Sequence, residues 1–190
     1  VPIVHCDLKS ANILMASDGQ PIIADVGLAK IIRVENQLPG HDKTHTDLNF
    51  LYHPPEVILS KDGSAFSQKS DVYSTAIIMW EILTHRIPFD ADRARGQWDR
   101  SVVFDRMIAE KIVNGFRPEI PEDLTEIPGW HPVLKKYISL MKRCWSHNPD
   151  DRPTFRQFHT KIKKILQAYE QAVPIAKDNA ICSFTEPSLR

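Results

Sequence analysis

Two absences limit what this chain can be: it has no long apolar run and no surplus of charge of either sign. A helix that crosses a membrane needs about 18 or more consecutive apolar residues, and no stretch of the 190 residues approaches this length. The chain contains 24 Lys and Arg residues against 24 Asp and Glu residues, so it lacks the basic excess typical of proteins that bind nucleic acids. We therefore predict no membrane segment and no nucleic-acid partner.

Cysteine is scarce, and its spacing matches neither a disulfide framework nor a metal site. Cys6, Cys144 and Cys182 are odd in number and widely separated, which is typical of proteins in a reducing compartment. The sequence also lacks a secretory hydrophobic segment, and it opens on Val1 rather than methionine, so we interpret position 1 as a cut through a longer chain. The predicted location is cytoplasmic.

Apolar residues make up 42% of the chain, and their spacing predicts one globular domain made mainly of helices. Asp18-Gly19 is a strong hairpin signal between the short apolar runs at 13–15 and 21–23. A helix that opens at Ser70-Asp71 is apolar nearly all round, which predicts burial on most sides. The predicted fold class is mainly α with a small β-hairpin. Three further amphipathic helices are predicted: one from Val103 to Asn114, one that carries Leu134, Ile138, Met141 and Trp145, and one that carries Phe155, Phe158, Ile162, Ile165 and Tyr169.

The most specific chemistry lies in the stretch V-H-C-D-L-K-S-A-N, which begins at Val4, and in A-D-V-G, which carries Asp25. A lone Asp or Asn in a loop is usually a turn or cap residue, but here several polar residues occur as an ordered set. The set resembles a protein kinase. His5, Asp7 and Asn12 match H-x-D-x-x-x-x-N, and the triplet that begins at Asp25 matches D-F-G except at its middle residue.

This resemblance implies that the polar residues carry out phosphoryl transfer. Asp7 would accept the proton of the substrate hydroxyl, and Lys9 would reach the transferred phosphate. Asn12 and Asp25 supply hard oxygen ligands, so they would hold magnesium on the phosphates of ATP. The implied reaction is transfer of the γ-phosphate of ATP to serine or threonine hydroxyls of a protein substrate.

The resemblance also implies supporting roles for residues outside these positions. The pattern C-W-x-x-N-P-x-x-R-P near the end of the chain implies that Arg152 pairs with Glu56 in a buried, bidentate contact. Asp71 would accept hydrogen bonds from backbone amides of the catalytic loop, and His5 would support the same loop. A simple helix N-cap remains the alternative for Asp71.

From Leu28 to Tyr52 the sequence loses its periodicity, which predicts a long mobile loop. By resemblance this loop is the activation segment of a kinase, closed by Pro-Pro-Glu in place of Ala-Pro-Glu. Thr44 and Thr46 are candidate phosphorylation sites, with ordinary loop residues as the alternative. Asn49 stands where Ser/Thr kinases usually carry a threonine.

The resemblance covers Val1 to about Tyr169, so we expect residues 1–169 to form the large C-terminal lobe of a kinase and residues 170–190 to form a weakly ordered tail. The string D-L-K-S-A-N is similar to the tyrosine-kinase-like branch of Ser/Thr kinases. The sequence contains no Gly-rich loop, no V-A-I-K lysine and no partner glutamate. The expected partner of this lobe is therefore the missing N-terminal lobe of the same chain.

Three functions remain open at this point. The parent protein is an active kinase, or it is a pseudokinase that serves as a binding module, or the lobe alone is a natural interaction domain. The pseudokinase alternative is motivated by Cys6, Val26 and Asn49, which replace an arginine, a phenylalanine and a threonine. We expect the lobe alone to be inactive and to expose apolar residues, among them Ile3 and Val26.

Overall fold

The computed structural model describes residues 3–31, 50–60, 62–90, 102–125 and 131–172. Most of these residues are helical, and the strands are short, so the predicted fold class is confirmed. The helices are α1 (Pro55–Leu59), α2 (Gln68–Thr84), α3 (Val102–Val113), α4 (His131–Cys144) and α5 (Phe155–Ala172). The strands are β1 (Ile3–Val4), β2 (Ile13–Met15), β3 (Pro21–Ile23) and β4 (Lys30–Ile31).

The predicted hairpin is the antiparallel pair β2–β3, in which Ile13 lies opposite Ile23. Its turn closes with a hydrogen bond of 2.9 Å from the Gly19 amide to the Ala16 carbonyl. Gly19 has a φ of +80°, a conformation that glycine adopts without the steric cost of a side chain. Strand β1 lies just before the loop that carries Asp7.

Short regular elements occupy both ends of the stretch from Leu28 to Tyr52, which was expected to be a loop. Val26–Leu28 form a 3-10 turn, β4 pairs with β1, and Phe50–Tyr52 form a second 3-10 turn. Short elements of this kind carry no periodic signal, because two or three residues are too few to show one. Residues 32–49 lie outside the described residues.

Helix α2 is the central element, and it begins three residues earlier than predicted. Its N-cap is Ser67, whose side chain accepts a hydrogen bond from the Ser70 amide. Ser70 in turn accepts one from the Ser67 amide at 3.0 Å, which completes a capping box. The predicted start at Ser70-Asp71 was wrong because the polar first turn hides the helix from an apolar pattern.

The other helices lie close to their predicted positions. Helix α4 begins at His131, and Pro132 is accommodated because the first turn needs no amide donor at that position. Helix α3 ends at Val113, and Gly115 follows with a φ of +92°. Helix α5 runs to Ala172 and so overlaps the start of the segment 170–190. The rest of that segment lies outside the described residues.

The core lies around α2, whose residues from Val72 to Ile77 are nearly inaccessible to solvent apart from Thr75. The predicted stripes are only partly buried: Ile165 of α5 is in the core, whereas Phe155 is exposed. No helix in the described ranges is both long and apolar enough to cross a membrane. The following buried residues form the main cluster with α2: Leu8, Tyr52, Phe89, Phe104, Ile108, Ile112, Leu140, Met141, Cys144, Trp145 and Ile165.

Candidate active site

The loop that carries the ordered polar set begins directly after β1 and is held by Asp71 of α2. The amides of His5 and Cys6 donate hydrogen bonds to the two carboxylate oxygens of Asp71, at 2.7 and 3.2 Å. Burial raises the pKa of Asp71, and the two donated hydrogen bonds oppose that shift. Asp71 lies inside the first turns of α2 rather than at its cap, so a simple N-cap role does not describe it.

The backbone at Cys6 turns sharply, with a φ of +68°. Residues other than glycine rarely adopt this left-handed conformation. Cys6 is buried, and its carbonyl oxygen lies 3.4 Å from Nε2 of His53. This bend lies where Asp71 holds the amides of His5 and Cys6, and it directs the chain toward Asp7.

Asp7, Lys9 and Asn12 form one hydrogen-bonded cluster. Nζ of Lys9 donates to Oδ2 of Asp7 at 2.8 Å, and Nδ2 of Asn12 donates to the same oxygen at 3.3 Å. Nδ2 of Asn12 also donates to the Asp7 carbonyl at 2.8 Å, which closes the loop on itself. Within the described residues, Oδ1 of Asp7 accepts no hydrogen bond. The carboxylate is therefore oriented through one oxygen, and the other remains available.

The hairpin returns the chain to this cluster and delivers Asp25. The Ala24 amide donates to the Asn12 carbonyl at 2.8 Å, and the Ala24 carbonyl lies 3.0 Å from Nε2 of His5. Asp25 follows at once, exposed and in the left-handed region with a φ of +58°. His5 thus links the loop to the strand that leads into Asp25, which gives the predicted support a specific contact.

The donor set formed by Asn12 and Asp25 fits a magnesium ion. Magnesium prefers oxygen ligands and usually takes only one or two from the protein, with water and phosphate oxygens completing the shell. The amide nitrogen of Asn12 is bonded to Asp7, so its oxygen is the free end of that amide. In the described part of the chain no three His, Cys, Asp or Glu residues cluster as a metal site, which agrees with a site that has few protein ligands.

A second network, which the sequence analysis missed, joins the loop to α2 through Tyr52. The Tyr52 hydroxyl donates to Oε1 of Glu81 at 2.7 Å and lies 3.1 Å from the Ser10 hydroxyl. Ser74 donates to the Tyr52 carbonyl at 2.9 Å. Burial raises the pKa of both Tyr52 and Glu81. The three residues that share the hydroxyl network lie far apart in sequence, and no motif announces their contact.

Arg152 and Glu56 form the bidentate pair implied by the resemblance. Nη1 and Nη2 of Arg152 donate to the two oxygens of Glu56 at 2.6 and 2.9 Å. Arg152 is 1% exposed, and its guanidinium also donates to the carbonyls of Ser146, Lys69 and His147. This pair fastens α1, which follows Tyr52, to the turn before α5.

Two predicted features cannot be placed. The candidate phosphorylation sites Thr44 and Thr46 lie outside the described residues, as does Asn49. Ile3 and Val26 are described, and both are more than half exposed, as expected.

The family model for the protein kinase domain matches residues 2–163. This chain belongs to the protein kinase family. Receptor-interacting serine/threonine-protein kinase 4 of Mus musculus is 34% identical over 174 residues, which cover 90% of this chain and 20% of that kinase. The identification as a large kinase lobe of the tyrosine-kinase-like branch is confirmed.

Other relatives of this kinase chain show the same partial coverage. Receptor-interacting serine/threonine-protein kinase 2 of Bos taurus is 30% identical over 171 residues, which cover 90% of the chain and 29% of the relative. Ankyrin repeat and protein kinase domain-containing protein 1 of Homo sapiens is 28% identical over 180 residues, which cover 95% of the chain and 22% of the relative. The chain spans less than a third of the length of each of these relatives.

Proposed function

We propose that the full-length protein transfers the γ-phosphate of ATP to serine or threonine hydroxyls of protein substrates. The observation that carries the proposal is the orientation of Asp7, whose Oδ2 is held by Lys9 at 2.8 Å while Oδ1 accepts no bond within the described residues. A base that is fixed through one oxygen can receive a hydroxyl proton on the other. The printed names of the receptor-interacting kinases support serine or threonine as the acceptor.

Each remaining residue of the cluster has a task in this reaction. Lys9 lies within hydrogen-bond reach of Asp7, so its ammonium group neutralises negative charge where the phosphate is transferred. Asn12 and Asp25 would hold magnesium, which supplies electrostatic stabilisation of the phosphate oxygens when it is bound. His5 and Asp71 keep the loop in position, whereas Glu56 and Arg152 fasten α1 to the turn before α5.

We also propose that residues 1–169 act as the large lobe, together with an N-terminal lobe of the same longer protein. The exposed apolar residues beside the cluster, Ile3, Leu14, Ile22 and Val26, are consistent with a surface that another domain covers. We propose a cytoplasmic location, which the buried free thiol of Cys144 supports.

A pseudokinase that works as a binding module is the second candidate function. It is favoured by Val26, which is 64% exposed where the family carries a phenylalanine, and by Cys6, which has no charge to bind a phosphate. This candidate keeps the fold and the loop contacts and lacks phosphoryl transfer. The separate use of this lobe as an interaction domain is a third candidate.

Transfer of radiolabelled phosphate by the full-length protein distinguishes the first two candidates. Asp7→Asn should remove most of the activity, because an amide cannot accept the hydroxyl proton. Asp18→Asn is the matched control: Asp18 lies in the exposed hairpin turn and accepts only the Gln20 amide, at 3.0 Å. Equal incorporation by wild type and Asp7→Asn would refute the kinase proposal. Nucleotide binding without incorporation by any form would support the pseudokinase.

A further inference from the structure

A groove of about 460 Å³ lies between the outer faces of α4 and α5. Four cations line it: Lys135, Lys136 and Arg143 from α4, and Lys161 from α5. The Ser139 hydroxyl lies among them, since positions 135, 139 and 143 repeat every four residues on one face of the helix. All five side chains belong to exposed residues. These five residues define the basic groove.

The floor of the basic groove is apolar and closed. Leu140 and Ile165 line it, and they are 4% and 9% exposed. Cys144 is buried in the core beneath the groove. Burial raises the pKa of its thiol, and the charges of Lys161 and Arg143 oppose that shift to a smaller extent. The groove is thus an open depression in which charged side chains surround an apolar floor.

The helices that carry the four cations place no acid beside them. Helix α4 contains no acidic residue, and the one acid of α5, Glu170, lies nine positions beyond Lys161, about 14 Å along the helix. Asp151 touches Arg143 only through its backbone carbonyl, which accepts from Nε at 3.3 Å. Within the described residues none of the four cations pairs with a carboxylate. Like charges so placed repel one another, and an anion from outside would relieve that repulsion.

The surroundings indicate a compact anion rather than an extended polyanion. The chain as a whole carries equal numbers of acidic and basic residues, so its net charge adds no general attraction to polyanions beyond that of the local cations. One guanidinium fork, flanking ammonium groups and a hydroxyl donor together match a phosphate dianion. The apolar floor suits the aliphatic part of a side chain that carries the phosphate.

We propose that the basic groove binds a phosphoserine- or phosphothreonine-containing segment of a partner protein. The groove uses no residue of the catalytic cluster, so the proposal holds whether or not the chain transfers phosphate. It gives this lobe a docking site for phosphorylated proteins in addition to its active site.

The test measures fluorescence polarisation with the full-length protein and a labelled peptide pool randomised around one fixed phosphoserine. Arg143→Gln combined with Lys161→Gln removes one positive charge from each wall of the basic groove. Lys142→Gln combined with Lys164→Gln is the matched control, because it removes two exposed charges from the same helices outside the groove. The pool with unmodified serine, inorganic phosphate as competitor, and phosphatidylcholine vesicles containing phosphatidylserine complete the set. Circular dichroism verifies that both variants are folded.

We expect the groove variant to weaken binding of the phosphorylated pool at least tenfold and the control variant to change it less than twofold. Inorganic phosphate should compete, and the unmodified pool should bind weakly. Equal losses in the two variants would overturn the proposal, because binding would then follow overall charge. Equal binding of the two pools would also overturn it, as would vesicle binding that depends on the groove without any peptide binding.

Discussion

Removal of the Arg152 guanidinium should destabilise the lobe more than any change to an exposed cation. The side chain of Arg152 is fully buried, and that of Glu56 is 23% exposed. Arg152→Leu would leave the carboxylate of Glu56 without its partner and would also leave the carbonyls of Ser146, Lys69 and His147 without this donor. Breaking a buried ion pair from one side costs about 3–5 kcal/mol, and we expect a loss of stability in this range.

A series of substitutions separates charge from geometry at this contact. Arg152→Lys keeps the charge but cannot make the two parallel hydrogen bonds to Glu56, so it should cost about 2 kcal/mol. Glu56→Gln keeps the shape and removes the charge, and the double variant completes a cycle that isolates the coupling between the two side chains. Arg156→Leu, an exposed cation on α5, is the control, with an expected change within about 0.5 kcal/mol.

The measurement is urea unfolding of the full-length protein, followed by tryptophan fluorescence, because Trp80 and Trp145 are buried in the same core. A shift of the first unfolding midpoint in Arg152→Leu, with an unchanged slope, gives the loss of stability of this lobe. If Arg152→Leu lost less than about 1 kcal/mol of stability, no more than Arg156→Leu, the Arg152 guanidinium would contribute little to the stability of the lobe. The assigned role of this pair would then be wrong.

Three further predictions concern single side chains. Burial raises the pKa of Cys144 to about 12, so at pH 8 only about one thiol in ten thousand is a thiolate. After treatment with a thiol-alkylating reagent, mass spectrometry should find Cys144 unmodified in the native protein and alkylated in urea. Tyr52→Phe removes the donor to Glu81 and should lower kcat about tenfold, with a smaller rise in KM. An unchanged kcat would exclude a positioning role for the hydroxyl. Kinase activity should depend only weakly on phosphate at Thr44 and Thr46, because Cys6 cannot bind that phosphate, and Cys6→Arg should increase the dependence. A hundredfold loss of activity when the wild type is treated with phosphatase, about 3 kcal/mol, would contradict this prediction. Thr44→Ala and Thr46→Ala are the controls.

The sequence was informative where a local rule determines the structure. The hairpin turn followed from Asp18-Gly19, and the positions of α3, α4 and α5 followed from apolar periodicity. The start of α2 was predicted late because a capping box of two serines has no apolar residue to mark it. Helix α1 was not predicted at all, since a helix of five residues that begins at Pro55 gives no repeat to detect.

The candidate site was predictable only in part, because spacing in sequence identifies residue types but not their contacts. The ordered motif predicted that Asp7, Asn12 and Asp25 act together, and the hairpin explains how residues distant in sequence become neighbours. The network of Ser10, Tyr52 and Glu81 was missed. Its members belong to three separate segments, and each is an ordinary polar or aromatic residue in its own stretch.

Helix α2 explains why these segments keep a fixed arrangement although the loops themselves have little regular structure. Asp71 in its first turns holds the amides of His5 and Cys6, and Glu81 nearer its end holds the Tyr52 hydroxyl. The two acids are ten residues apart, about 15 Å along the helix, so a single rigid element anchors the start of the catalytic loop at one point and the contact between Tyr52 and Ser10 at another. Because both contacts are made with donors from other segments, loss of either acid should displace one loop and leave the helix folded. The position of Asp7 is thus determined by the core of the lobe together with the contacts from Lys9 and Asn12 within its own loop.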